Sequence, residues 1–192
     1  MKAALLAAGS SSRMGPGRDK LMEPVKGLPL IQRQARALLD AGIGPVAVAL
    51  PPDRPRRAAA LADLNVTLLT IADAHTGMSA GLRACAIWAR GEPLMIVPAD
   101  MPDLSAQDFR TLAAAFQGQT LRACAKDGTP GHPVIFAPDA LPHFAGLSGD
   151  EGARRILQLF SPRLVPLPGT HALIDLDTPE DWDRWRQARS EP

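Results

Sequence analysis

The chain has 192 residues, of which 46% are hydrophobic and 21% are charged, so it is long enough to bury the core of one α/β domain. Its 21 lysine and arginine residues nearly balance its 20 aspartate and glutamate residues, which argues against a nucleic-acid-binding protein with a global basic field. No stretch approaches the about 18 consecutive apolar residues of a membrane span.

The N-terminal segment joins an apolar strand to a basic, glycine-rich loop. Residues 3–8 are continuously apolar, which predicts a strand that is buried on both faces. Gly9 then lets the backbone turn where a side chain would obstruct a ligand. The amide groups of residues 10–14 can form an anion-binding nest. The loop also carries three basic side chains, Arg13, Arg18 and Lys20. The segment therefore predicts a phosphate-binding loop.

Two other glycine-rich motifs do not fit this loop. A P-loop has the pattern G-x-x-x-x-G-K-[ST], whereas five residues separate Gly9 from Gly15 here and Pro16 follows. The G-x-G-x-x-G fingerprint of dinucleotide-binding proteins is absent from this turn as well.

The apolar run of residues 3–8 lies at or below the short end of the apolar core of a secretory signal peptide, and no suitable cleavage site follows it. We therefore expect a cytoplasmic protein.

Short apolar runs alternate with helical patterns along the rest of the chain. This alternation predicts an α/β protein with a mostly parallel sheet that helices cover on both faces. After the first strand, the predicted strands are residues 46–50, 66–71, 94–97, about 121–125, 132–136, 164–167 and 173–176. The predicted helices are residues 31–42, an arginine-rich stretch ending near residue 63, residues 78–90, 105–116, 139–144 and 149–159, and a last helix from residue 179.

Local signals identify side chains that serve the fold. Ser105 and Asp108 have the spacing of a capping box, and Thr178 is placed to cap the last helix. Trp182 and Trp185 are expected to pack in the core rather than to stack on a ligand.

Three groups of reactive or charged residues are not expected to form sites. Cys85 and Cys124 lack C-x-x-C spacing, which predicts buried, reduced thiols. The four histidines show no close pairing of the kind that binds a metal ion. The arginines at positions Arg54, Arg56 and Arg57 are predicted to form a solvated start of a helix.

Ligands of open parallel sheets bind beyond the carboxyl ends of the strands. Besides the first loop, residues 98–102 and 175–178 occupy such positions. An aspartate at a strand end either caps the next helix or binds a ligand. For Asp100 a ligand is favoured, because four residues separate it from the cap of the next helix. For Asp177 the two explanations stay open.

A phosphate loop with two separated carboxylates is suited to a nucleoside triphosphate that is bound together with Mg²⁺. This combination predicts phosphoryl or nucleotidyl transfer, in which the protein contributes positioning and charge neutralisation. Such chemistry needs no nucleophilic side chain, and no Ser-His-Asp or Cys-His arrangement can be argued from the sequence.

Segments along nearly the whole chain resemble the MobA-like nucleotidyltransferases. They are LAAGSSSRMG at 6–15 with Lys20, GLPLI at 27–31, GMSAGLR at 77–83, PADMP at 98–102 and DLDTPEDW at 175–182. Two further segments, GHPVIF at 131–136 and GDEGARRIL at 149–157, are similar to the molybdenum cofactor cytidylyltransferase branch of that family.

The resemblance implies one domain over residues 1–192 with a three-layer α/β/α Rossmann-like nucleotidyltransferase fold. Its nucleotide-binding half would be about 1–104 and its acceptor-binding half about 105–192. The implied reaction transfers CMP from CTP to the phosphate of the molybdenum cofactor (molybdopterin), with release of pyrophosphate and with Mg²⁺ as cofactor. A transient contact with a molybdoenzyme or its chaperone is implied, and neither nucleic acid nor a membrane is an expected partner.

The resemblance also implies roles for single residues. Arg13, Lys20 and Asp100 would be catalytic, and Asp100 and Asp177 would hold Mg²⁺. Within the family an LAAG start, here with Ala8, goes with CTP and an LAGG start with GTP, and a β-carbon at this position narrows the space beside a purine. The residues expected to bind the nucleotide are Leu6, Ala7, Ala8, Gly9, Ser10, Ser11, Ser12, Arg13, Lys20, Gly77, Met78, Ser79 and Asp100. Those expected to bind the acceptor are His132 and Asp150.

Several alternatives stay open. The spacer between Gly15 and Lys20 is longer than is common in the family, so either Arg18 or Lys20 can contact the triphosphate. Gly81 stands where the family often carries serine, and His132 can serve either the acceptor or a structural loop. The enzyme can instead use GTP or a sugar or polyol phosphate. A relative adapted to redox chemistry, like nicotine blue oxidoreductase, or to nucleotide binding without turnover is the third possibility.

Overall fold

The apolar N-terminal strand lies inside a seven-stranded sheet in the computed structural model, which describes residues 1–190. The strands are β1 (Lys2–Leu6), β2 (Pro24–Val25), β3 (Leu28–Pro29), β4 (Val46–Leu50), β5 (Thr67–Thr70), β6 (Leu94–Pro98), β7 (Leu121–Cys124), β8 (Pro130–Phe136) and β9 (Arg163–Pro166). The helices are α1 (Leu30–Ala41), α2 (Pro55–Ala59), α3 (Met78–Ala89), α4 (Ala106–Ala114), α5 (Arg154–Phe160) and α6 (Pro179–Ser190). Short 3₁₀ segments are Ser12–Met14, Lys20–Met22, Ala74–Thr76 and Pro138–Gly146.

The strand order of the large sheet is β5-β4-β1-β6-β8-β7-β9. β1 pairs in parallel with β4 and β6, β4 pairs in parallel with β5, and β7 pairs in parallel with β9. Only β8 runs against its neighbours β6 and β7 in the described part of the sheet. The predicted α/β fold with a mostly parallel central sheet is therefore confirmed.

Alternate side chains of the central strands supply two separate apolar layers. Ala3 and Leu5 of β1 pack on the side of α1, α4 and α6, whereas Ala4 packs on the side of α3 and α5. This division follows from the two-residue period of a strand, and it explains why the central strands are apolar throughout. Trp182 is fully buried in the first layer, as predicted.

The local signals at the helix ends are confirmed. Ser105 and Asp108 form a reciprocal capping box, and the hydroxyl of Thr178 accepts a hydrogen bond from the Asp181 amide. Cys85 and Cys124 are free and buried. No helix within residues 1–190 has the length and apolar character needed to cross a membrane.

Two predicted helices differ in extent, and one predicted strand is absent. The arginine-rich helix ends at Ala59, and the helix predicted over 149–159 begins only at Arg154. Gly149 itself adopts a left-handed φ of 56°, which is not a helical conformation. Residues 173–176 do not form a strand. Their backbone crosses the strand ends instead, where the Leu176 amide donates to the Asp100 carbonyl at 3.0 Å.

The crossing segment and β8 touch at Gly131. The amide of His132 donates to the Ala172 carbonyl at 2.8 Å, and a β-carbon at Gly131 would lie 1.9 Å from the same carbonyl oxygen. Only glycine permits this approach, because both groups in contact belong to backbone. Gly131 therefore fixes the crossing segment against β8.

We expect Gly131→Ala to destabilise the protein by about 1–3 kcal/mol, because the added carbon must displace backbone. Urea unfolding of the two proteins measures the difference. Gly146→Ala is the matched control: its β-carbon meets nothing within 4 Å, and its stability should stay within about 0.5 kcal/mol of the parent. Equal stability of the two variants would contradict the proposed contact.

Candidate active site

The carboxyl ends of β1, β4 and β6 open onto a cavity of about 1140 Å³. Its walls come from the loop after β1, residues 51–54 after β4, the start of α3, the turn after β6, and the crossing segment. This is the edge at which open parallel sheets bind ligands. Of the residues predicted to bind substrates or metal, all except Ser79 line this cavity.

Lys20 forms the centre of the charged part of the cavity. Its Nζ lies 2.5 Å from Oδ2 of Asp100 and also contacts Oδ1 of Asp177, and Arg13 Nη1 lies 2.5 Å from the other oxygen of Asp177. Burial opposes the charged form of Lys20, but the two carboxylates outweigh it and raise the pKa of this amine above its ordinary value. The predicted catalytic cations and metal ligands are therefore brought together.

Three carboxylates converge beside Lys20. Oxygen atoms of Asp100, Asp175 and Asp177 lie within 4.8 Å of one another. Asp100 Oδ1 is buried, and among the described residues it has no hydrogen-bond partner. Partial burial and the two neighbouring carboxylates raise the pKa of Asp175. An all-oxygen donor set with an unused buried oxygen fits a hard divalent cation. The sequence indicated Asp100 and Asp177 but gave Asp175 no role of its own.

The phosphate loop turns sharply at Ser11, whose φ of 57° is left-handed. Met14 then inserts into the core with 2% of its surface exposed, and its amide donates to the Ser11 carbonyl. The side chain of Ser11 is turned away from solvent, whereas Ser10 and Ser12 stay exposed. The loop is therefore anchored at its far end while its first residues face the cavity.

The two cations that the sequence left as alternatives take different positions. Arg18 pairs with Glu23 at 2.9 Å and does not line the cavity, whereas Lys20 reaches the carboxylates. The geometry thus favours Lys20 as the cation available to a ligand's phosphates.

The prediction of a solvated arginine cluster is wrong for Arg57. This side chain is fully buried beneath the phosphate loop, where it pairs with Asp19. Arg54 lines the cavity and donates to the Ser10 carbonyl at 3.2 Å. One signal for this burial was available: in the helix that the sequence predicts to about residue 63, Arg57 precedes the apolar Leu61 by four residues and so falls on the same face.

The opposite wall is built around a close approach of two glycines. A β-carbon at Gly77, which has a φ of 116°, would lie 2.3 Å from the Gly149 backbone. This contact places Asp150 and Met78 at the cavity. Ser79 lies behind the wall: it is fully buried, and its hydroxyl accepts a hydrogen bond from Arg83 at 3.1 Å.

His132 and Arg122 form the wall below the crossing segment. Nδ1 of His132 is buried without a hydrogen-bond partner among the described residues, and Arg122 Nε donates to the Gly131 carbonyl at 2.9 Å. Burial, with a further contribution from Arg122, lowers the pKa of His132 from 6.5 to about 4, although Asp100 opposes the shift. His132 is therefore a neutral imidazole at ordinary pH. Sequence reasoning gave Arg122 no role.

We expect the ring protons of His132 to titrate near pH 4 in an NMR titration. Because the pKa is lower in the folded state, the unfolded chain binds this proton more readily between about pH 4 and 6.5. The contribution to stability is therefore fully present above pH 6.5 and is lost as the pH falls. His132→Asn should flatten the stability profile over this range, and a midpoint near 6.5 in the folded protein would contradict the assignment.

Comparisons with known proteins show the family to which the chain is similar. The MobA-like NTP transferase domain matches residues 3–166. The chain is 30% identical over 209 residues to the purine catabolism protein PucB of Bacillus subtilis, a match that covers 96% of this chain and 95% of the relative. It is 28% identical over 193 residues to a molybdenum cofactor guanylyltransferase of Serratia proteamaculans, covering 96% and 93% of the two chains.

A solved nucleotidyl transferase from Methanothermobacter thermautotroptrophicus superposes on the structure with a TM-score of 0.83. The two chains share 22% identity, and the superposition covers 97% of this chain and 96% of the other, which supports the fold. The family match, the near full-length relatives and the cavity at the strand ends lead to one conclusion: the chain belongs to the MobA-like NTP transferase family of nucleotidyltransferases.

Proposed function

We propose that the protein transfers CMP from CTP to the phosphate of the molybdenum cofactor, with Mg²⁺ as cofactor and pyrophosphate as the second product. The observation that carries the proposal is the position of Lys20 between Asp100 and Asp177, directly beside the phosphate loop. Carboxylates suited to a hard cation thus meet, in one cavity, the loop amides and the cations that would bind phosphates, as a metal-bound triphosphate requires.

In the proposed reaction an oxygen of the acceptor phosphate attacks the α-phosphorus of CTP. The new phosphorus–oxygen bond forms as the bond to the oxygen bridging the α- and β-phosphates breaks, and that oxygen leaves with pyrophosphate. Arg13 and Lys20 neutralise the charge that develops on the leaving group, and amides of residues 9–12 bind the phosphates. The enzyme then contributes alignment and charge, and no covalent enzyme intermediate is needed.

The carboxylates of Asp100 and Asp177 would hold Mg²⁺, with Asp175 close enough to contribute an oxygen. The bound ion would supply positive charge to the phosphate oxygens. Lys20 and Arg13 contact the same carboxylates in this structure, so their positive charges fill the place that a cation would take. We propose that nucleotide binding transfers these two side chains from the carboxylates to the phosphates, which conserves the charge balance of the cavity.

Ala8 supports the choice of CTP. It lines the cavity and packs against the apolar layer that contains Ala80 and Leu82 of α3, on the side where Gly77 and Met78 form the wall. A β-carbon here takes space from the larger purine ring and leaves room for a pyrimidine. Ser79, which the resemblance placed among the nucleotide-binding residues, would need a change in its contact with Arg83 to reach a ligand.

The acceptor would occupy the part of the cavity lined by His132, Arg122 and Asp150. Arg122 offers positive charge without an acidic partner among residues 1–190, and a neutral His132 can donate or accept a hydrogen bond. The name of the guanylyltransferase relatives favours a molybdenum cofactor acceptor. We propose that the product is passed in the cytoplasm to a molybdoenzyme or its chaperone through a transient contact.

Asp100→Asn should abolish Mg²⁺-dependent release of pyrophosphate, with a loss of at least about 100-fold in kcat, because it removes charge from the site of the proposed cation. The fold should be retained, since Asp100 makes no contribution to the apolar layers. Pyrophosphate release and thermal unfolding measure the two effects. Asp63→Asn, an exposed aspartate outside the cavity, is the control and should keep the parent rate. An unchanged rate in Asp100→Asn would refute the metal role.

A panel of the four nucleoside triphosphates, each with and without molybdenum cofactor, tests the substrate assignment. We expect turnover only with CTP and the cofactor together. Ala8→Gly should raise the GTP-to-CTP ratio of kcat/KM by about tenfold, because the removed carbon restores space beside a purine. Preference of the parent for GTP would establish the guanylyltransferase alternative, turnover with a sugar phosphate would identify another acceptor, and oxidation of NAD(P)H would indicate a redox relative.

A further inference from the structure

We infer that Arg57 is a positioning residue, whose buried guanidinium holds the phosphate loop in its ligand-binding shape and sets Lys20 in place through Asp19. The inference about the loop stands on the contacts of the nucleotide-free chain. Its consequence for catalysis rests on the proposed nucleotidyl transfer.

Every donor of Arg57 is used. Nε donates to Oδ2 of Asp19 at 2.8 Å, and Nη2 donates to Oδ1 of Asp19 at 2.8 Å and to the Ser11 hydroxyl at 3.0 Å. Nη1 donates to the carbonyls of Ala7 at 2.6 Å and Gly9 at 2.8 Å. A guanidinium has five N–H donors, and all of them are aimed at the loop and at Asp19.

The three loop contacts lie on both sides of the turn. Ala7 directly follows β1, Gly9 is the residue at which the chain leaves the strand direction, and Ser11 has the left-handed backbone. One rigid, planar group therefore binds the loop from below at alternate residues. The carbonyls point toward Arg57, which leaves the upper side of the loop to the cavity.

Asp19 transmits this anchoring to the catalytic cation. Its Oδ1 also accepts a hydrogen bond from the Leu21 amide at 3.0 Å and so caps the 3₁₀ turn that begins at Lys20. Leu21 is buried in the core with 2% of its surface exposed. The backbone of Lys20 is thus fixed on both sides, and its side chain extends into the cavity toward Asp100.

Arg57 acts through other residues and not on the substrate. Neither Arg57 nor Asp19 lines the cavity, and the Arg57 side chain has no exposed surface. A lysine cannot replace it, because an ammonium has three donors and lacks the planar fork that binds a carboxylate through two parallel bonds. A buried charge is also tolerated only when it is paired, so losing either Arg57 or Asp19 leaves the other uncompensated.

The first test compares Arg57→Lys and Asp19→Asn with Arg56→Gln, a control at an exposed arginine of the same helix that lies outside the cavity. We expect the KM for the triphosphate to rise and kcat to fall, each by about tenfold, in the first two variants. The KM for the acceptor should stay unchanged. Arg56→Gln should behave as the parent. A merely structural role would lower the amount of active enzyme and leave both KM values unchanged, and that result would overturn the inference.

The second test needs no ligand. Hydrogen–deuterium exchange of the nucleotide-free proteins should show at least about tenfold faster exchange in Arg57→Lys for the Met14 and Leu21 amides, which bond to Ser11 and Asp19. Exchange in β1, β4 and β6 should be unchanged. Equal protection of the loop in Arg57→Lys and Arg56→Gln would refute the anchoring. Faster loop exchange in a protein whose parent turns over no triphosphate would uphold the anchoring and refute the proposed function.

Discussion

The site depends on the balance of charge between Lys20 and the carboxylates of Asp100 and Asp177. Three remote parts of the sequence meet there: the loop after β1, the turn after β6 and the segment before α6. Uncompensated, the clustered carboxylates would repel one another in a partly buried cavity. The fold can hold them together because β1 and β6 are adjacent and parallel, so that both strands deliver their following residues to the same edge.

A second set of charges supports the first from below. Asp19 and Arg57 lie behind the phosphate loop, and Lys20 follows Asp19 directly in the chain. Burial raises the pKa of the Asp19 carboxyl, but its contacts with Arg57 outweigh that effect and keep the pKa below the ordinary value. Arg13 and Lys20 contact Asp100 and Asp177 at the surface of the cavity, whereas the Arg57 side chain is fully buried and uses all of its donors on the loop and on Asp19. The two sets of charges therefore occupy different depths of the site.

Much of this arrangement was predictable from the sequence. The apolar period of the strands gave the parallel sheet, and the rule that ligands bind at strand ends led to Asp100. What the sequence did not reveal depends on contacts between distant backbones. Residues 173–176 have the alternating pattern of a strand, but their backbone bonds across the strand ends instead of joining the sheet. Arg57 is predicted to be solvated because its partners, the carbonyls of Ala7 and Gly9, are remote in sequence. Ser79 belongs to the GMSAGLR segment, but it is buried behind the cavity wall that Gly77 and Met78 form. Base specificity and the division into nucleotide and acceptor halves stay predictions.

The contact of Gly131 with Ala172 joins the two ends of the cavity. On one side of this contact the chain continues into His132, and on the other it runs within a few residues to Asp175 and Asp177. The residues proposed for the acceptor and those proposed for the cation therefore share a single backbone junction. In a transferase of this design, an acceptor that displaces β8 would also displace the carboxylates. Binding of one substrate would then change the affinity for the other.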